Sequence, residues 1–149
     1  IRREVLCKQR DEGELAREVV KMRRRMSENL LPINDENSFH LKQGSGGIVD
    51  IEFMVQYAVL AWAHSHPELV HWSDNVRILE VLGKASLFSI DEAQALTQAY
   101  LDYRGAAHQL ALQQAPGEVS ADQFMEQRQQ VQQQWHALLG DVNVEAEQA

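Results

Sequence analysis

Lys42-Gln43-Gly44-Ser45-Gly46-Gly47-Ile48-Val49-Asp50-Ile51-Glu52-Phe53 joins a basic residue, a glycine-rich turn and the start of an apolar run that two carboxylates interrupt. Glycine tolerates positive φ and close approach of backbone, so residues 44, 46 and 47 mark a tight turn. From Ile48 to His64 the sequence is apolar around most of a helical circumference, the pattern of a helix buried on nearly all sides. Such a helix sets the fold class, a bundle packed around it. It also poses a chemical problem. Glu52 stands between Ile51 and Phe53, and an unpaired carboxylate in a core is costly. A neighbouring side chain, a metal or a substrate has to meet it.

On the N-terminal side of this stretch, residues 1–8 read as the end of an earlier helix. Asp11-Glu12-Gly13-Glu14 then resembles a capping box and opens a helix to about Asn29, with Leu15, Val19, Met22, Met26 and Leu30 on one face. Residues 30–46 read as a loop holding Pro32 and the glycines. On the C-terminal side, the central helix should end near His66-Pro67. Ser73 should cap a helix to about Lys84, with Val76, Leu79 and Leu82/Gly83 inward. Ser89-Ile90-Asp91-Glu92 is a capping box. It starts a helix with Ala93, Leu96, Tyr100, Tyr103, Ala107 and Leu110 at three-to-four spacing, broken by Pro116-Gly117. Ser120-Ala121-Asp122-Gln123 predicts a last cap, before a helix carrying Phe124, Val131, Trp135 and Leu138 inward. The Gln-rich run Gln127 to Gln134 reads as a polar face of that helix. Alternating strand patterns are nearly absent. The reading is all-α: an antiparallel bundle of about five helices over residues 11–140, after a preceding segment at 1–10 and before a polar tail at 141–149.

Composition narrows the function. The chain has 149 residues, 44% hydrophobic and 24% charged, ordinary for a globular domain. A net charge of −8 argues against phosphate-backbone binding by the domain as a whole, so no nucleic acid is expected. No apolar stretch approaches the ~20 residues that span a bilayer. The lone Cys7 excludes a disulfide framework within the chain and fits a reducing compartment. The start Ile1-Arg2-Arg3, without an initiator Met, predicts a fragment of a longer protein.

Asp50 and Glu52 lie about 200° apart around a helix and cannot act as a side-by-side carboxylate pair. Asp50 in the first turn suits the helix dipole. Glu52 is expected to pair inside the bundle with a cation, best Arg104, which follows Tyr103 on a helix with many inward residues. A glycine turn before a helix can bind phosphate through free N–H groups, with Lys42 adding charge. Yet no Lys-Ser/Thr follows as in a P-loop, and no strand precedes as in a dinucleotide fold. Lys21, Arg23, Arg24 and Arg25 form a basic patch, read as a solvated face paired with nearby acids or, more sharply, as a docking surface for a nucleotide or acidic partner. His64, His66 and His71 fit no standard zinc spacing. Trp62, Trp72 and Trp135 read as core or interface anchors, and Cys7 has no setting that would mark a nucleophile.

Taken together, Lys42-x-Gly44-x-Gly46-Gly47-Ile48-x-Asp50-Ile51-Glu52-Phe53, Gln56-Tyr57, Trp72-Ser73-Asp74-Asn75-Val76-Arg77-Ile78-Leu79, Ala95-Leu96-Thr97-x-Ala99-Tyr100 and Arg104-x-x-x-His108-x-Leu110-Ala111-Leu112 resemble the helical domain of the bacterial glutamine synthetase adenylyltransferase family. The resemblance runs from Glu14 to about Leu139. It implies a nucleotidyltransferase-associated helical domain from an enzyme of two halves, one attaching AMP from ATP to a tyrosine of glutamine synthetase, the other removing it by phosphorolysis. Val49-Asp50 and Gln56-Tyr57 look more like the C-terminal, adenylylating half. In the full enzyme the resemblance implies ATP and Mg²⁺, an adjoining catalytic nucleotidyltransferase domain, glutamine synthetase and the PII signal protein as partners, and a cytoplasmic setting.

This chain departs from that pattern in one respect. The family's catalytic domain has Gly-Ser followed, roughly ten residues on, by a magnesium-binding Asp-x-Asp. Gly44-Ser45 and Asp50-x-Glu52 are too close together and lie in a helical setting. The fragment alone is therefore expected to be inactive, with no catalytic residue, no metal ligand and no tightly bound cofactor. Lys42, Gly44, Gly46, Gly47 and Asp50 are the expected nucleotide-site or domain-interface residues. The alternatives are a docking module for glutamine synthetase or PII that never touches nucleotide, and the helical domain of a PII uridylyltransferase, in which Leu-Arg-Asp would replace Ile48-Val49-Asp50.

Overall fold

The computed structural model describes residues 2–28 and 37–140. The expected tail at 141–149 and the stretch 29–36, with Leu30 and Pro32, lie outside them. Among the described residues the chain forms six α-helices: α1 (Arg2–Leu6), α2 (Glu12–Glu28), α3 (Ile48–Trp62), α4 (Asn75–Lys84), α5 (Ile90–Leu112) and α6 (Met125–Leu139). A 3₁₀ turn, Pro67–Val70, links α3 to α4, and two short strands, β1 (Ser38–His40) and β2 (Glu118–Ser120), pair antiparallel. The all-α expectation holds, with α1 inside residues 1–8.

Central α3 packs against α2, α4, α5 and α6. Ile51, Met54, Ala58 and Ala61 are wholly buried along it. Each large apolar side chain so buried contributes ~1.5–3 kcal/mol, which makes this helix the organising element of the core. It is shorter than expected and stops at Trp62, because the Trp62 carbonyl accepts from both Ser65 and His66 N–H and turns the chain before Pro67.

Helix starts are set by the side chains that satisfy their free N–H groups. Asp11 accepts from Glu14 N–H at 3.1 Å, and Ser89 from Glu92 N–H at 3.0 Å, both as expected. For α4 the cap is Asp74, not Ser73: its carboxylate accepts from Val76 N–H at 2.9 Å. A carboxylate is the stronger acceptor for a helix N–H.

The expected cap at Ser120 is not there. Ser120 ends β2 and faces Ser38, while its hydroxyl bonds the Asp122 carboxylate. Helix α6 starts later, at Met125, after Phe124 in the left-handed region at φ 58°. Three-residue strands carry too little alternation to be seen locally, and this pair is created by the tertiary fold. Its role is to join the chain before the glycine turn to the chain before α6, through Phe39↔Val119 and its neighbours. Phe39 then meets Tyr103 of α5, and Tyr103 meets Phe124, each edge to face with centroids 5.5 Å apart. Val131 and Leu139 are the buried residues of α6, with Phe124, Trp135 and Leu138 packed partly against the core.

Two of the tryptophans expected as anchors behave differently. Half-buried Trp62 stands edge to face with Tyr57 and Phe88 and donates its N–H to Glu12 at 3.1 Å. Trp72 is exposed, with the Arg77 guanidinium 5.3 Å from its ring centre. In α2 the inward face is Leu15, Ala16, Val19 and Arg23, whereas Met22, expected inward, is exposed.

Candidate functional site: the glycine turn and its two arginines

The turn from Leu41 to Asp50 is closed by its own backbone. Gly44 N–H donates to His40 O at 2.8 Å, Gly47 N–H to Gly44 O at 2.9 Å, Ile48 N–H to Leu41 O at 2.9 Å and Val49 N–H to Lys42 O at 3.0 Å. Gly46 N–H donates to Asp50 Oδ2 at 2.7 Å. The glycines are required by this packing. Gly46 has φ +82°, and a Cβ there would lie 2.8 Å from Arg128 O. A Cβ on Gly47 would lie 2.5 Å from Leu41 O. On Gly44 it would meet His40 O at 2.6 Å and the Phe39 ring at 2.9 Å. The N–H groups of Gly44, Gly46, Gly47, Ile48 and Val49 are therefore already used inside the turn.

Asp50 is buried and fully engaged. Arg23 Nε donates to its Oδ1 at 2.5 Å. The same guanidinium donates to Gln43 O at 2.6 Å and to Ser27 Oγ at 2.9 Å. One arginine of α2 thus holds both the carboxylate at the start of α3 and the turn before it. Removal of either charge would strand the other in low dielectric. The basic-patch reading is corrected at this residue: Arg23 is 7% exposed. The signal was available in the sequence, since 15, 19 and 23 share one helical stripe with two apolar members. Arg24 does behave as expected of a solvated face, 3.7 Å from Glu28.

The expected Glu52–Arg104 pair does not form. Arg104 is exposed, its guanidinium 5.5 Å from the ring centre of its own neighbour Tyr100. With Tyr103 wholly inward, the next residue on the helix is turned about 100° away from the core. Glu52 is half-buried and makes no ion pair or hydrogen bond among the described residues. Lys42 is exposed beside the turn.

The opposite side of the turn is built by α6, from the Gln-rich run read as a polar face. Gln132 Nε2 donates to Ser45 Oγ at 3.1 Å. One turn earlier, the Arg128 guanidinium lies 4.1 Å from the centre of the Phe39 ring. Its Nε is buried and has no hydrogen-bond partner among the described residues. Nearby Tyr103 is wholly buried with its hydroxyl unpartnered, and burial is the main cause of its raised pKa. Neither Arg128 nor Tyr103 was singled out for a site, because only the tertiary fold brings α5 and α6 to the turn.

Among the described residues no cluster of three His, Cys, Asp or Glu side chains could hold a metal ion. A magnesium ion does not fit Asp50 and Glu52: both Asp50 oxygens already accept hydrogen bonds, and Glu52 projects from another side of the helix. No helix of the described residues is long and apolar enough to cross a membrane.

The family model described as GlnD PII-uridylyltransferase matches residues 20–118. Bifunctional glutamine synthetase adenylyltransferase/adenylyl-removing enzymes are similar over most of the chain. The one from Nitrosococcus oceani is 50% identical over 95% of this chain and 14% of its own length. That from Shewanella loihica is 55% identical over 80% and 12%, and that from Acinetobacter baylyi 46% over 93% and 15%. The chain thus spans about one seventh of the length of these relatives. With this identity over most of its length, the chain belongs to the bifunctional glutamine synthetase adenylyltransferase/adenylyl-removing enzyme family, and its residues 20–118 also match the PII-uridylyltransferase model.

Proposed function

We propose that this chain is the C-terminal helical domain of the adenylylating half of such an enzyme, and that the face carrying Lys42 and the glycine turn packs toward the nucleotide site of an adjoining catalytic domain. The parent would transfer AMP from ATP, with Mg²⁺, to a tyrosine of glutamine synthetase in the cytoplasm and so regulate nitrogen assimilation. The observation that carries the reading is the rigid turn: Arg23 and Asp50 fasten it to α2 and α3, and Lys42 stands exposed on it. Because the amides of Gly44, Gly46, Gly47, Ile48 and Val49 are committed, phosphate contact would fall chiefly to side chains, Lys42 first. Magnesium would be held by the catalytic domain. With Asp50 neutralised by Arg23 and no metal ligand set among the described residues, this chain would position rather than catalyse.

The second reading, a docking module for glutamine synthetase or the PII signal protein, is favoured by the same committed amides, which take up most of a backbone cradle. Steady-state adenylylation by the full-length enzyme separates the two. Lys42→Ala should lower kcat/KM about tenfold or more, the worth of a lost charge-assisted hydrogen bond at ~1.5–3 kcal/mol. It should leave the melting temperature of the 149-residue chain unchanged. Normal ATP dependence in that variant, with weakened capture of glutamine synthetase, would establish the docking module instead.

A further inference from the structure

Arg10, Arg23, Arg24 and Arg128 are the arginines of the described residues that are buried or half-buried. Arg10 donates to the carbonyls of Val5, Leu6 and Lys8. Arg23 has Asp50, Gln43 and Ser27, and Arg24 has Glu28. Arg128 has no acceptor: its guanidinium forms no hydrogen bond and no ion pair among the described residues. Five N–H donors on a partly desolvated cation call for an acceptor.

The guanidinium is also held in place. It lies on Phe39, which is 1% exposed, and the Phe39 ring in turn touches Gly44. The Arg128 backbone packs against Gly46. Side chain, ring and glycine turn form one contact unit. A guanidinium fixed on an aromatic face has its donor fork set in advance, which suits an acceptor presenting two oxygens on one centre. We infer that Arg128 is an oxyanion-binding residue of the glycine turn, and that its ligand is a phosphate group of a nucleotide. The choice of phosphate rests on the reading of the turn given above, which requires side-chain donors now that most of the backbone ones are committed. The arginine's lack of an acceptor stands apart from that reading.

The test is a titration of the 149-residue chain with inorganic pyrophosphate at constant ionic strength, followed by the Arg128 Nε–Hε and Gly46 amide signals in ¹⁵N-correlated spectra. Both signals should move saturably. Arg128→Lys, which keeps the charge and loses the fork, should weaken pyrophosphate binding about tenfold or more, read at Gly46. Sodium acetate, the parallel arm, should give no saturable shift. The absence of a saturable shift at Nε–Hε in the wild-type chain would overturn the inference without any variant having to fold. So would unchanged affinity in Arg128→Lys. Saturation by acetate as strong as by pyrophosphate would overturn the phosphate assignment and mark Arg128 as the receptor of a protein carboxylate. The same titration in Lys42→Ala separates this inference from the turn reading: an undiminished Arg128 response, alongside normal adenylylation by the full-length Lys42→Ala enzyme, would sink the reading of Lys42 and leave Arg128 standing.

Discussion

Two arginines flank one turn and differ in almost everything but charge. On the α2 side, Arg23 is buried and bonded to a carboxylate, a carbonyl and a hydroxyl, one from each of its three nitrogens. On the α6 side, Arg128 is half-buried, lies on an aromatic ring and has no acceptor among the described residues. Burial of a charge is tolerable where partners replace its water. Arg23 meets that condition inside the chain, so it belongs to the architecture of the turn. Arg128 does not meet it among the described residues, and a ligand is the partner inferred for it above. The same residue type serves on one side as a brace and on the other as an open contact.

The largest expected effect tests the brace. Arg23→Met leaves Asp50 buried with only the Gly46 N–H, and breaking a buried pair from one side costs ~3–5 kcal/mol. The melting temperature should fall by roughly 10 °C for a chain of this size. Arg128→Met, losing no side-chain hydrogen bond among the described residues, should cost about 1 kcal/mol or less, chiefly its contact with Phe39. Chemical denaturation of both variants reads the comparison directly. Equal costs would mean that Arg128 has an internal partner, or that Arg23 is less committed than its bonds indicate.

A smaller effect is expected where the two sides meet. Gly46→Ala puts a Cβ 2.8 Å from Arg128 O at a residue with φ +82°. Left-handed backbone costs a non-glycine residue ~1–2 kcal/mol, before the displacement of α6 is counted. The substitution should lower stability by ~1–3 kcal/mol and shift the Arg128 Nε–Hε signal, since the strain falls on the α6 side. Unperturbed α6 signals would show that the turn relaxes alone and that the contact unit proposed around Arg128 is loose.

How much of this was legible in the sequence depended on range. Helix α3 was plain because seventeen near-continuous positions from Ile48 to His64 carry its pattern, and the Ser89 and Asp11 caps are signals within four residues. The β1–β2 pair was not, since Ser38 and Ser120 are brought together only by the fold. The turn itself stood out through its glycines, yet the reason for them did not: the carbonyls of Leu41, His40 and Arg128, rather than a ligand, occupy the space a Cβ would need. Asp50 was found and its partner missed, because Arg23 sits in a run of basic residues that looks solvated. Arg104 was chosen for Glu52 by the company of Tyr103, although a residue next to an inward one on a helix faces elsewhere.

The smallest effect lies between the two arginines, at Tyr103. Burial raises its pKa first; Asp102 and Asp50 add to the rise, while Arg128 opposes it. The folded protein therefore keeps the phenolic proton to a higher pH than the unfolded chain, whose tyrosine titrates near 10.0. Stability from this group is complete below that pH and is lost as the pH climbs above it, where only the unfolded state releases the proton. The hydroxyl also has no hydrogen-bond partner in the core, and an unsatisfied buried group costs ~1–3 kcal/mol. Tyr103→Phe should consequently gain up to about 1 kcal/mol at neutral pH, keep both edge contacts with Phe39 and Phe124, and flatten the fall in stability above pH 10.0 in denaturant titrations run across the alkaline range. A loss of stability at neutral pH would show that the hydroxyl has a hydrogen-bond partner after all. The Arg128 side of the turn is then where to search for it, because Arg128 Nε–H is a buried donor without a partner among the described residues and the Tyr103 oxygen can accept from it.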